Sequence, residues 1–163
     1  QVPGARDIVV EMNSLSKSHN MAGWRMAMVS SNPKFINWIV KVKSNVDSGQ
    51  FKPMMLAAVR ALSLGEDWYR ELNAEYAVRR GLAMKIMDEL GCCADPAQQG
   101  LFLWGRIPED APSAEWLADK VLYDKRVFIT PGMIFGSQGD RYIRISLCAT
   151  RDKMQQALER IIK

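Results

Sequence analysis

Ser14-Leu15-Ser16-Lys17-Ser18-His19-Asn20-Met21-Ala22-Gly23-Trp24-Arg25 gathers serine hydroxyls, a lysine and an arginine behind a short apolar run. Asp7 to Asn13, just before it, reads as a short buried strand, and Met26 to Ser30, just after it, as another. Asn32-Pro33 then opens a helix, because Asn is a good N-cap and Pro suits the first helical position. Phe35, Ile36, Ile39 and Val40 supply its apolar face. The helix is expected to end before Ser44-Asn45-Val46-Asp47-Ser48-Gly49, a run of turn residues.

Ser14 and Lys17 have the S-x-x-K spacing of penicillin-binding proteins and β-lactamases. Those enzymes also need S-D-N and K-T-G elements, and the chain has neither. A Walker A sequence is absent, and Gly132, Gly136 and Gly139 lack dinucleotide-fingerprint spacing. The remaining reading is a lysine that forms a Schiff base. An amine is nucleophilic only when neutral, so Lys17 would need desolvation or a neighbouring cation, for which Arg25 is available. Ser14, Ser16 and Arg25 would also suit a phosphate, the arginine bidentately. The set makes a cradle for pyridoxal phosphate. Short motifs have low specificity, so a plain solvated loop stays open at this point.

The rest of the chain carries its own elements. Pro53 to Leu64 reads as a helix closed by Gly65, and a long helix follows from about Asp67 to Leu90, stopped by Gly91. Strands are expected at Leu101–Trp104, Val127–Thr130 and Tyr142–Leu147, with helices at Ser113–Tyr123 and Thr150–Ile162. In Tyr142-Ile143-Arg144-Ile145-Ser146-Leu147 the apolar residues alternate with Arg144, which puts that arginine on the opposite face of the strand.

Composition narrows the function classes. The 163 residues are 48% apolar and 25% charged, the proportions of a globular protein rather than a disordered or fibrous one. The longest uncharged stretch, Val127 to Gly139, is interrupted by Pro131 and two glycines, so no membrane span is expected. There are 22 basic and 18 acidic residues, net +4, without a dense basic run, so no nucleic-acid partner is expected. Three cysteines (Cys92, Cys93, Cys148) and one histidine, His19, have no metal-ligand spacing. Reduced thiols in a cytoplasmic protein are the simplest reading. His19 is expected to be an exposed loop side chain, Cys148 buried, Trp68 and Trp116 packing anchors, and the methionines core filler.

A second and third match change the weight of the first loop. Ser-x-Ser-Lys followed by Met21-Ala22-Gly23-Trp24-Arg25 resembles the class I/II pyridoxal-phosphate aminotransferases. Pro131-Gly132-Met133-Ile134-Phe135-Gly136, then Gly139 and Arg144-Ile145-Ser146-Leu147, resembles that family's carboxylate-binding segment. Gly100-Leu101-Phe102-Leu103-Trp104 is similar to the first strand of its small domain. The motifs occur in family order over nearly the whole chain.

The resemblance implies the α/β fold of pyridoxal-phosphate-dependent transferases (fold type I). Residues 1–50 would be the C-terminal end of the large cofactor-binding domain, and 51–163 the complete small α+β domain. It implies that Lys17 holds pyridoxal 5'-phosphate and moves the substrate proton. Ser14, Ser16 and Arg25 would bind the cofactor, Arg144 the substrate α-carboxylate, and Asn45 would approach the site of a second subunit. The substrates would be an amino acid and a 2-oxo acid, of aspartate or broad specificity, with a diaminopimelate aminotransferase also compatible. The full-length enzyme would be a homodimer. A C–S lyase or aminocyclopropane-carboxylate synthase would use the same lysine and arginine. The effector domain of an aminotransferase-like transcription regulator is a reading from another class. Family members are far longer, and their aspartate for the pyridine nitrogen and their stacking ring precede the matched part. The chain is therefore expected to be a C-terminal fragment, folded but inactive alone.

Overall fold

The computed structural model describes residues 2–163. They form two compact units, one ending at Glu66 and one running from Asp67 to Lys163.

In the first unit, α1 (Ala5–Ile8) leads into β1 (Val10–Ser14), α2 (Leu15–Ser18), a 3-10 turn (Ala22–Trp24) and β2 (Ala27–Ser31). Two helices complete it, α3 (Pro33–Val46) and α4 (Lys52–Leu62). The border expected at residue 50 falls in the linker between α3 and α4, whereas the two units divide after Glu66, beyond α4. β1 and β2 pair antiparallel, with Val10 opposite Ser31 and Ser14 opposite Ala27. The strand expected over Asp7–Asn13 starts later, because Gly4, at φ 77°, opens a helical turn that takes up Ala5 to Ile8. It is also not buried: Val10, Met12, Met28 and Val29 are all exposed. An apolar run without alternation is the pattern of a strand covered on both faces. Within this unit the ribbon stays open.

Asn32 caps α3 as expected, its Oδ1 accepting from Lys34 N at 3.0 Å, with Pro33 at the helix start. The loop expected from Ser44 is shorter than its composition implies. Ser44 Oγ and Asn45 Nδ2 both donate to Lys41 O, at 3.2 and 2.6 Å, and Lys43 pairs with Asp47 at 2.8 Å. Turn-forming side chains that bond back onto the preceding turn can occupy a last helical turn. Asn45 is therefore helical, not in a loop, and the chain turns only at Asp47 to Gly49.

The second unit begins with α5 (Glu66–Glu89, its first residue lying in the first unit), stopped by Gly91 at φ 67°. β3 (Cys93–Ala94), β4 (Phe102–Arg106), α6 (Ala114–Lys125), β5 (Thr130–Pro131), β6 (Tyr142–Ser146) and α7 (Arg151–Ile162) follow. The strands form one antiparallel sheet in the order β3-β4-β6-β5. Ser113 and Thr150 cap α6 and α7 by accepting from Trp116 N and Lys153 N. Leu103, Ile143 and Leu147 point from the sheet into a core with Met87 of α5, Leu117 and Val121 of α6, and Leu158 of α7. The strand expected over Val127–Thr130 pairs only at Thr130–Pro131, because the apolar Ile129 is consumed by the core instead of a ladder.

The short β3 would leave the outer side of β4 bare at Trp104. Gln98 fills that place: its Oε1 accepts from Trp104 N at 2.9 Å and its Nε2 donates to Trp104 O at 2.7 Å. Cys148, Trp116 and most of the methionines differ from expectation. Cys148 is exposed, since it follows the core-facing Leu147 and turns the other way. Trp116 lies on the outer side of α6 and is exposed. Only Met87 and Met154 of the methionines are fully core residues.

Candidate functional site

The loop joining β1 to β2 is closed at its base by Leu15 N donating to Met26 O at 3.1 Å, over the buried Leu15 side chain. Ser14 caps α2, its Oγ accepting from Ser16 N at 3.1 Å. The Ser14 and Ser16 hydroxyls lie 2.8 Å apart. Lys17, in the same turn, is exposed. Arg25 is held in the left-handed region at φ 52°, and its Nη1 donates to Ala22 O at 3.0 Å. The remaining Arg25 donors have no partner among the described residues. The structure thus places Ser14, Ser16, Lys17 and Arg25 on a single loop of the first unit.

His19 corrects the sequence reading. Among the described residues it is the buried polar side chain, 8% exposed, and its Nδ1 lies 2.9 Å from Ser18 Oγ. Ser18 Oγ in turn donates to Ser14 O at 3.3 Å. His19 stands four residues after Leu15, and residues at that spacing share a helical face, the signal that would have found it.

Arg144 belongs to the second unit. It sits in the middle of β6, opposite Trp104 on β4 and Thr130 on β5. Ile143, Ile145 and Leu147 are buried, so the expected alternation holds. The Arg144 Cζ lies 4.2 Å from the ring centre of Phe102 and 4.0 Å from that of Phe135. Trp104 touches Phe135 edge-on, with ring centres 5.9 Å apart, and stacks on Tyr142 at 5.4 Å. Sequence reasoning missed both phenylalanines as site residues. Phe102 was findable: it alternates with Trp104 and so shares its face of β4. Beside Arg144 a cavity of about 340 Å³ is lined by Thr130, Ile145, Ile86, Met154 and Lys153. Asn45 lies exposed at the end of α3, in the first unit.

The donor set of the first loop suits a phosphorylated aldehyde. Two adjacent hydroxyls and a guanidinium with spare N–H groups match phosphate oxygens, and a primary amine matches a carbonyl. No group of three or more metal-ligating side chains occurs among the described residues, and no helix there is long and apolar enough to cross a membrane.

Residues 3–161 match the family described as Aminotransferase class I and II. The chain belongs to that family. Class I and II aminotransferases are pyridoxal-phosphate enzymes of fold type I. Among its relatives is the LL-diaminopimelate aminotransferase of Nitratidesulfovibrio vulgaris, 37% identical over 99% of this chain and 42% of the relative. The glutamate-pyruvate aminotransferase AlaC of Escherichia coli is 36% identical over 99% of this chain and 40% of its own length. Among solved structures, BacF of Bacillus subtilis is similar with TM-score 0.82 and 32% identity, covering 93% of this chain and 39% of that one. The aromatic aminotransferase of Pyrococcus horikoshii gives 0.87 at 27% identity, covering 98% and 43%. The chain therefore spans about two-fifths of the length of the relatives it matches.

Proposed function

We propose that this chain supplies the catalytic lysine and the carboxylate-binding arginine of an aminotransferase that exchanges an amino group between an amino acid and a 2-oxo acid. The observation that carries the reading is the loop from Ser14 to Arg25, where paired hydroxyls, an exposed lysine and an incompletely bonded arginine share one closed turn.

Pyridoxal phosphate, when bound, supplies the electron sink that allows the bond between the substrate α-carbon and its hydrogen to ionise. Ser14 Oγ, Ser16 Oγ and Arg25 would hold its phosphate by charge-assisted hydrogen bonds. Lys17 would hold the cofactor at its aldehyde end, and its Nζ would take the substrate α-proton and return it. Arg144 orients the substrate by bidentate pairing with its α-carboxylate, which an ammonium cannot reproduce.

Among amino donors, the names of the relatives favour LL-diaminopimelate over aspartate. A homodimer with Asn45 near the partner's site is the assembly that the resemblance implies, and the exposed position of Asn45 suits it. Turnover is assigned to a polypeptide of the relatives' length, and residues 1–163 alone are expected to be silent.

Borohydride reduction in the presence of pyridoxal phosphate, followed by peptide mapping, tests the reading. Label is expected on Lys17, and stoichiometric label on another lysine overturns it. Product analysis with labelled amino acid separates transamination from C–S lyase chemistry: a 2-oxo acid with the carbon skeleton intact is expected.

A further inference from the structure

Arg79 and Arg141 of the second unit are held differently from Arg144. Arg79 Nε pairs with Glu75 and its Nη1 donates to Leu147 O. Arg141 is spent on backbone, donating to Ala111 O and Pro108 O at 2.6 Å and to Pro112 O at 3.4 Å. Both are structural arginines whose N–H groups have been used to tie the fold together. Arg144 has no hydrogen bond or ion pair among the described residues. Its partners are two ring faces, Phe102 at 4.2 Å and Phe135 at 4.0 Å from Cζ.

A ring face attracts a guanidinium but contains no lone pair directed at an N–H. It fixes the position of the group without consuming the donors at its rim. A carboxylate would do the opposite, occupying two of the five N–H groups. The rings also come from two independent elements. Phe102 stands on β4, opposite Ser146 in the ladder. Phe135 ends the 3-10 turn Gly132–Phe135, braced by Trp104, which itself stacks on Tyr142. Phe135 remains 50% exposed, so burial of its own surface does not account for its placement over Arg144.

We propose that Phe102 and Phe135 are positioning residues that clamp the Arg144 guanidinium with its hydrogen-bonding rim open, ready for a substrate carboxylate. This rests on the reading of Arg144 as the carboxylate-binding group. An exposed arginine loses rotamer freedom when it closes on a ligand, and a side chain ordered beforehand avoids that loss. The clamp therefore acts on carboxylate affinity, through Arg144, and not on the cofactor.

Succinate is a suitable probe, titrated calorimetrically into the holoenzyme of the wild type and of Phe102→Leu, Phe135→Leu, Phe135→Tyr and Arg144→Gln. Each leucine variant should weaken succinate by about tenfold, and Phe135→Tyr, which keeps a ring face, by no more than about twofold. Cofactor affinity should be unchanged throughout, and KM for the amino acid should rise more than kcat falls. The Arg144 Nε–H resonance should lose its ring-current shift in the leucine variants and keep it in Phe135→Tyr. Leucine variants that bind succinate like the wild type while Arg144→Gln does not would overturn the clamp and leave Arg144 in place. Unchanged binding in Arg144→Gln would remove both. Should Phe135→Leu fail to fold, Phe102→Leu decides the matter.

Discussion

The backbones of Gly132 and Gly139 pass in direct contact: a β-carbon added to either would collide with the carbonyl oxygen of the other. On Gly132 it would also meet Trp104 Cη2 and Tyr142 O, both at 2.7 Å. Two of the three obstacles are backbone and cannot rotate away. Both φ angles are ordinary, so space, not conformational freedom, requires glycine here.

Gly132→Ala should therefore destabilise the second unit by about 1–3 kcal/mol, the usual cost of overpacking. Because Phe135 ends the same turn, carboxylate binding should weaken as well. Chemical denaturation measures the first effect, and a variant as stable as the wild type would contradict the close approach.

Acid should loosen the second unit through Glu75. Arg151 first and Arg79 second hold its carboxyl below the usual value of 4.5. The folded form thus binds fewer protons than the unfolded one, and stability from this group is complete above that value. It is lost as pH falls through the lower folded value. Glu75→Gln should lower the melting temperature at pH 7 and flatten the acid limb of the stability curve. Parallel acid limbs for the two proteins would refute the linkage.

Legibility differed between the two units for a physical reason. Asn32, Ser113 and Thr150 were readable as caps because capping is decided by a few neighbouring residues. The alternation around Arg144 was equally readable, because one covered face imposes period two on a strand. The Asp7–Asn13 run misled: its composition reflects burial on both faces, which nothing in the first unit provides. Asn45 and Val127 were misplaced where side-chain bonds to Lys41 and the burial of Ile129 outweighed local propensity. Lys17 and Arg25 were legible only as motif residues. The clamp on Arg144 was not, since Phe135 reaches it from a loop whose path depends on tertiary contacts.

The three thiols should separate by reactivity. Burial pushes the Cys92 thiol up to about 11, whereas Cys93 and Cys148 are exposed. At pH 8 only about one Cys92 in a thousand would be thiolate, the nucleophilic form. Native protein treated with iodoacetamide should label Cys93 and Cys148, and Cys92 only after denaturation. Rapid native labelling of Cys92 would contradict its burial.

Protection from hydrogen exchange should be unequal. Amides of β4 and β6 lie over the core and should exchange only on global opening of the second unit, whereas those of β1 and β2 should exchange by local fraying. A polypeptide of residues 66–163 should likewise melt cooperatively by itself. Equal protection in both sheets, or a non-cooperative melt of that polypeptide, would show that the second unit depends on the first.

The bond pair between Gln98 and the peptide of Trp104 has a consequence for solubility. An outer strand with a bare N–H and C=O is a template onto which another chain can add, the first step towards aggregation. Here a single side-chain amide imitates the missing neighbour strand, offering one acceptor and one donor at ladder distances. Unlike a true strand it ends there, with no further backbone for a newcomer to pair with, and so it seals the sheet's margin at that point.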